Sequence, residues 1–525
     1  VDEPSPHVDW ESGAVRLLTE ERQWSVGERV RRAGVSSFGI SGTNAHVIIE
    51  EAPTPEPADE TDEPATNTGP VPWVLSAHSE QSLREQARRL HTHLTEHPEF
   101  RAVDVGFSLV TTRVLLPYRA VVQAGEREQA LRALDALATG LTDPALVTGL
   151  AKKERGKLTM VFPGQGSQWP DMARDLLNTS EAFRDTVAAC EAALAPYVDW
   201  RLTDVLSGAA GSARLLDRVD VVQPALFAMM VSLAEVWRSL GVVPDAVVGH
   251  SQGEIAAAYV AGGLSLPDAA RIVAQRSKAV TALSGKGAMM VVGLPADEVE
   301  QHLGPWRDEL SVATVNSMRS VVVSGGPAAL DELGRELSRI GAFRWMVPGV
   351  DFAAHSPHVE MLRDELLRLL AATEPRTGMI PYYSTTTANW ISTTELDAGY
   401  WYRNLREPVR FAQSVRGLLA DGHRIFVESA PQPVLAMNVQ EAFDDLPDTD
   451  TLVVESLRRD DGALDRLITS AAQVFVHGVP VDWTSVLRGG RIVPLPTYGF
   501  VGERFWLVGG SGGQDVSGLG LGVAG

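Results

Sequence analysis

Apolar residues along the chain fall into two rhythms, and the change of rhythm marks out its parts. From about residue 71 to 150, "VPWVLSAHS" has the run of a strand. "SLREQARRLHTHL" and "REQALRALDALATGL" carry apolar residues at helical period. The segment predicts strand, helix, helix, strand, helix, a small α/β unit at 71–155. From "KLTMVFPGQGSQW" to about residue 455, short apolar runs alternate with amphipathic stretches. That alternation predicts a parallel sheet covered by helices over 156–455. Inside it, "GAMMVVGLPADEVEQHL" predicts a strand and a helix, and "LSVATVNSMRSVVVSGGPAALDELGRELSRIG" two strands and a helix. This order suits an α+β subdomain at about 286–348. Residues 456–510 hold one long helical pattern, "ALDRLITSAAQVFVHG", and then "PLPTYGFVGERFW". Two stretches lack apolar period. "TPEPADETDEPATNTGP" predicts a linker at 53–70, and the glycine-rich end at 511–525 predicts a flexible tail. No internal repeat is found.

Length and composition narrow the class. A chain of 525 residues exceeds one ordinary core, so two or three domains are expected. With 44% hydrophobic and 22% charged residues it suits a soluble globular protein, and no apolar run is expected to be long enough to span a bilayer. The opening "VDEPSP" lacks a methionine and reads as a cut from a longer chain. A net charge of −21 argues against nucleic acid as a partner. The basic run "KKERGK" (Lys152 to Lys157) reads as a solvated linker. The one cysteine, Cys190, sits on an apolar helical face and is expected in the core. A single thiol allows neither an internal disulfide nor a cysteine metal site, and fits a reducing cytoplasm.

The chemistry begins at "AVVGHSQGEIAAAYV". A strand ending at Val248, a Gly-x-Ser-x-Gly turn and an alanine-rich helix make a nucleophile elbow. Gly249 and Gly253 remove side chains that would clash in the turn, and Ser251 stands at its apex. The backbone N–H of Gln252, opening the helix, is a natural oxyanion donor. A second glycine turn, "VFPGQGSQW", can bring Gln165 to the same place, and lacks the Lys-Ser/Thr of a phosphate loop. Serine needs a base. Of 12 histidines, His91, His93 and His97 lie on or beside an amphipathic helix and are expected at the surface. His250 adjoins the serine, but neighbours in such a turn point apart. His355 and His358 in "VPGVDFAAHSPHVEML" follow the serine in the order of a hydrolase-like site, and spacing does not choose between them. On "RIVAQRSKAV", Arg271, Arg276 or Lys278 could face the pocket and bind a carboxylate, or be solvated.

The succession "FPGQGSQW", "RVDVVQPALFA", "GHSQGE", "AQRS", "ATVNSMRSVVVSG" and "AAHSPHVE" resembles the acyltransferase domain of modular type I polyketide synthases, in the malonyl-CoA:ACP transacylase superfamily. The likeness extends along nearly the whole chain. "SSFGISGTNAHVIIEEAP" resembles the C-terminal end of a ketosynthase, which places that end at 1–52. Residues 71–155 resemble the ketosynthase-to-acyltransferase linker, and "PLPTYGFVGERFW" resembles the post-acyltransferase linker, which wraps back over earlier domains. The resemblance implies a hydrolase-like parallel-sheet core, a small ferredoxin-like α+β subdomain and an α/β linker domain.

It also implies roles. Ser251 would be the nucleophile and His355 the general base and acid, oriented by backbone carbonyls. Gln165 and the Gln252 N–H would form the oxyanion hole. Arg276 would hold the free carboxylate of a malonyl-type group, and Asn316 would lie near the site. The implied partners are an acyl-CoA, the phosphopantetheine of an acyl carrier protein and the neighbouring ketosynthase, with no metal or redox cofactor. A serine hydrolase or thioesterase is the rival on the elbow alone, and Arg276 argues against it.

Two departures stand out. Gln432 replaces a common histidine in "ESAPQPVL", a segment expected to border the base. His46 matches a ketosynthase catalytic histidine but has no matching cysteine, so carbon-chain condensation is not expected. In malonyl-loading relatives the motif ending in the base reads His-Ala-Phe-His, and in methylmalonyl relatives Tyr-Ala-Ser-His. Here it is Phe352, Ala353, Ala354, His355. Small Ala354 leaves room for a C2 branch, most simply methylmalonyl, with ethylmalonyl or a larger alkylmalonyl as the alternative.

Overall fold

The computed structural model describes residues 6–14, 16–20, 22–25, 27, 29–52, 69–444 and 450–502. The chain divides into two units, Val1–Ala65 and Thr66–Gly525. In the first, strands β1 (Arg32–Phe38) and β2 (Asn44–Glu50) pair as an antiparallel hairpin. His46 lies on β2, exposed, with its ring 2.8 Å from Ser36 Oγ. All but two residues of the linker expected at 53–70, and the whole tail expected at 511–525, lie outside the described residues.

The second unit opens with β3 (Pro72–Ala77), two helices, β4 (Tyr118–Gln123), a third helix and β5 (Leu146–Leu150). The strands form an antiparallel sheet in the order β3-β4-β5. β5 goes beyond the sequence expectation, because five half-exposed residues with a glycine carry too little alternation to announce a strand. The helix Leu464–Val476 packs on this sheet so closely that a Cβ at Gly149 would fall 2.7 Å from Val476. Further on the chain returns over the same domain. Tyr498 Oη accepts the His78 N–H, and Arg113 donates to the carbonyls of Leu495 and Pro496. His93, expected at the surface, is half-buried there, hydrogen-bonded to the Pro494 carbonyl and 4.5 Å from the His97 ring.

The main body carries β6 (Lys157–Phe162) and β7 (Ala246–Gly249). An inserted subdomain then contributes β8 (Ala288–Val292), β9 (Leu310–Ser317), β10 (Ser320–Gly325) and β11 (Arg344–Met346). The body resumes with β12 (Tyr382–Ser384), β13 (Asn389–Ile391), β14 (His423–Glu428) and β15 (Leu452–Glu455). The large sheet runs β13-β12-β7-β6-β14-β15, parallel throughout except for antiparallel β13 at one edge. β7 is interior, and all four of its residues are buried, as an apolar strand covered on both faces must be. The small sheet runs β11-β8-β10-β9, wholly antiparallel, which is the ferredoxin-like order with two helices between its strands.

One expectation needs correcting. The helix Val219–Ser239 is long and apolar enough to cross a bilayer, whereas no such run is expected from the sequence. Asp220, Gln223 and Pro224 interrupt the run near its start. Nearly all of the helix lies inside the fold, so it is a core helix here. Cys190 is buried as expected, and burial pushes its thiol up to about 12.

Candidate active site

The elbow sits where interior strand β7 meets the helix Gly253–Val260. Ser251 takes a left-handed conformation at φ +53°. A Cβ at Gly249 would fall 2.3 Å from the Glu254 backbone, and one at Gly253 2.1 Å from the Phe162 carbonyl. Only glycine allows the turn to close this tightly, so strain at Ser251 is imposed by its surroundings. Ala256, Ala257 and Ala258 are fully buried and let the following helix lie close to the sheet.

His355 completes a pair with the serine. Its Nε2 lies 2.8 Å from Ser251 Oγ. Its Nδ1 donates to the Glu407 carbonyl at 2.8 Å, and its own N–H donates to the Leu405 carbonyl. A carbonyl can only accept, so the proton is on Nδ1 and Nε2 is left to accept from the serine hydroxyl. His355 is also left-handed, at φ +57°. Burial, and then the positive charge of Arg276, push its pKa down to about 3. The imidazole is therefore neutral at working pH. His358 is half-buried one short turn further on, with its backbone N–H bonded to Ser356 Oγ.

Arg276 is 1% exposed on the helix Leu266–Val280. That helix is started by Ser265, whose side chain accepts the Asp268 N–H, with Pro267 in the first turn. Arg276 Nη1 donates to Gln223 Oε1 at 2.9 Å, and Nη2 stands 3.5 Å from both Ser251 Oγ and Asn404 Oδ1. Among the described residues it makes no ion pair. Burial lowers its pKa to about 10, so it stays positive at neutral pH. Arg271 is tied to Asp268 and the Ala372 carbonyl, and Lys278 is exposed, so only Arg276 of the three reaches the pocket.

These groups open into a cleft of about 430 Å³ between the two sheets. One wall is the Gly164–Gln165–Gly166 turn, and the small subdomain supplies Met289, Val291, Asn316, Trp345 and Val347. Among the described residues no hydrogen-bond acceptor is found for the backbone N–H of Gln165 or of Gln252. Both residues line the cleft beside Ser251.

The sequence comparison decides the family. Residues 159–481 match the acyl transferase domain, and residues 4–122 match the ketoacyl-synthetase C-terminal extension. The chain belongs to the acyl transferase domain family. It is 50% identical over 543 residues to polyketide synthase GfsB of Streptomyces halstedii, across 99% of this chain and 10% of that protein. It thus spans about a tenth of the length of the curated relatives it matches. Among solved structures it is similar to the acyltransferase domain from module 8 of the salinomycin polyketide synthase, with a TM-score of 0.76 and 48% identity over 79% of this chain and 98% of that one. It is also similar to the acyl transferase domain of SpnD in complex with 2-(pent-4-yn-1-yl)malonyl, with a TM-score of 0.70 and 28% identity over 80% of this chain and 97% of that one. The chain is accordingly an acyltransferase of the polyketide-synthase type.

The remaining residues singled out from the acyltransferase sequence divide. Phe352 and Ala354 line the cleft. Ala353 does not: it is turned against Gly287, where a Cβ would meet its backbone nitrogen at 2.3 Å. Asn316 lines the cleft with its Oδ1 2.8 Å from His250 Nε2. His250 is therefore part of the wall, and its ring turns to Asn316 and not to the serine, as expected of neighbours in such a turn. The segment around Gln432 does not hold the base. Gln432 Nε2 donates to the Gly166 carbonyl at 3.2 Å, on the Gly164–Gln165–Gly166 turn, while the Glu407 carbonyl accepts from His355. Sequence reasoning passed over Gln223, Glu254 and Asn404, which surround Arg276 and the elbow.

Proposed function

We propose that this acyltransferase takes a C2-branched malonyl-type group, most simply methylmalonyl, from its CoA thioester and passes it through an acyl-serine to the phosphopantetheine thiol of an acyl carrier protein. The observation that carries the reading is one constellation: a Ser251–His355 pair at 2.8 Å with a buried, ion-pair-free Arg276 at 3.5 Å from the same oxygen. A guanidinium taken out of water without a counter-ion costs several kcal/mol. A substrate carboxylate would supply that counter-ion in bidentate contact.

Ser251 Oγ attacks the thioester carbonyl as its proton passes to His355 Nε2. The tetrahedral oxyanion rests on the N–H groups of Gln252 and Gln165. The C–S bond breaks, and the CoA thiolate leaves with the proton from His355. The carrier thiol then gives its proton to the same nitrogen and attacks the acyl-serine. Serine leaves and recovers the proton. Every step is an acyl or proton transfer, so no resident metal or redox cofactor is called for. The Glu407 carbonyl stabilises the imidazolium that forms in each half-reaction.

The preference for a branch is supported by Ala354, which leaves cleft volume where a phenylalanine would stand. One buried methyl is worth about 0.8 kcal/mol, nearly fourfold in selectivity. The malonyl derivative named for the SpnD complex carries a C2 branch, and a longer alkyl group is the alternative for this cleft. As part of a longer synthase, the acyltransferase would work beside a ketosynthase in a reducing cytoplasm. To test the reading, methylmalonyl-CoA is mixed with the protein, with and without a carrier protein, and the intact masses are followed. Methylmalonyl should appear on Ser251 and then on the carrier. Free acid as the main product in both mixtures would instead mark a hydrolase.

A further inference from the structure

Asn404 sits behind Arg276, on the helix Ala398–Arg406, and its amide has no freedom of orientation. Its two N–H groups go to two acceptors, the Ser251 backbone carbonyl at 3.2 Å and Glu254 Oε2 at 3.0 Å. Its Oδ1 is thereby left facing Arg276 Nη2 at 3.5 Å. The orientation is set from behind. Glu254 is fully buried, and its oxygens accept from the backbone N–H groups of Thr385 and Thr386 and from the Tyr400 hydroxyl. Backbone N–H groups can only donate, so Oε1 must accept, while Oε2 accepts from the Tyr400 hydroxyl. An acceptor at Oε2 in turn forces Nδ2 of Asn404 toward it.

The consequence falls on the substrate side. Gln223 and Asn404 are both neutral acceptors. They direct the guanidinium without cancelling its charge, whereas a carboxylate in either place would. We propose that Asn404, oriented by Glu254, is a positioning residue that holds Arg276 in its receiving pose and so sets how strongly carboxylated acyl groups are preferred over neutral ones. The inference rests on the reading of Arg276 given above.

The test compares methylmalonyl-CoA with propionyl-CoA, which differ only in the carboxylate, in one mixture, with the masses on Ser251 read at early times. Asn404→Ala leaves Arg276 with Gln223 and the Ser251 hydroxyl. Glu254→Gln keeps the shape but puts an amide N–H where Oε2 accepts, so Asn404 must turn and present Nδ2 to the guanidinium. Each change should lower the methylmalonyl-to-propionyl ratio roughly two- to tenfold, the net worth of one hydrogen bond. The loss should show in KM for methylmalonyl-CoA, while propionyl loading changes little. In an Arg276→Ala background neither change should move the ratio further. If Glu254→Gln fails to fold, Asn404→Ala still decides, because Glu254 keeps its Thr385, Thr386 and Tyr400 donors. Equal losses for both substrates, or a ratio change that persists without Arg276, would overturn the inference. A wild-type protein with no preference for the carboxylated substrate would instead defeat the reading of Arg276 itself.

Discussion

The rate at which Ser251 is loaded should be nearly independent of pH between 5 and 8. The perturbation is protonation of His355, which would occupy the nitrogen that must accept the serine proton. A histidine with its ordinary pKa of about 6.5 would be only about 3% neutral at pH 5, a thirtyfold loss of rate. His355 is held at about 3, first by burial and then by the charge of Arg276. At pH 5 it is still almost wholly neutral, so the loss is negligible. The measurement is a rapid-quench series with methylmalonyl-CoA, reading acylated Ser251 by intact mass. An acidic limb centred near 6.5 would refute the argument, because it would mean that water reaches the imidazole. Arg276→Ala removes the second cause and leaves the first, so any limb it creates should still lie below 6.5.

The same shift has a thermodynamic counterpart. Below pH 6.5 the unfolded chain binds a proton at this histidine that the folded chain refuses until about pH 3. Stability therefore falls as pH drops through that window, by about 2 kcal/mol at pH 5 from this one group. A His355→Gln variant should be spared that part, and denaturant midpoints at pH 7.5 and 5 for the two proteins measure it.

Three further outcomes are expected. Ser251→Ala should abolish acylation of the protein while acyl-CoA still binds, as checked by intact mass and calorimetry; an adduct of full stoichiometry would show that another residue is the nucleophile. His355→Ala should cripple both half-reactions and His358→Ala neither, followed as separate loading and carrier-transfer rates. Ala354→Phe should shift an equimolar malonyl- and methylmalonyl-CoA mixture toward malonyl by at least the nearly fourfold worth of one buried methyl, and an unchanged product ratio would remove the volume argument.

The elbow was legible because everything that makes it is local. Gly249, Ser251 and Gly253 lie within five residues, and the clashes their pattern implies are the ones found. The choice between His355 and His358 was not legible from spacing, because it depends on the Glu407 carbonyl, 52 residues on, which no side-chain pattern reveals. That His250 would turn to Asn316 was likewise not legible, since Asn316 arrives from the small subdomain. The subdomain's first three strands and two helices were legible as elements and its ferredoxin-like arrangement only through the family resemblance, whereas β5 and β11 are short, exposed edge strands with little to mark them. Arg276 lies between these cases. Ile272, Val273, Arg276 and Val280 share one buried stripe of their helix, and Arg271 and Lys278 fall off it. A helical count alone shows a single arginine interrupting an apolar face.

That interruption is informative because it runs against stability. An apolar residue of similar volume would suit the stripe, and a buried cation is normally kept only with a carboxylate beside it. Among the described residues the carboxylate that acts on it, Glu254, is held back behind Asn404, and the groups that touch the guanidinium are neutral amides and the Ser251 hydroxyl. The fold thus keeps its buried cation out of direct contact with a carboxylate by one side chain, so that Glu254 acts on it only at a distance. Such an arrangement makes sense where the missing anion is brought in by each substrate and carried out with each product. A resident ion pair would stabilise the empty enzyme, but the substrate carboxylate would then have to break it.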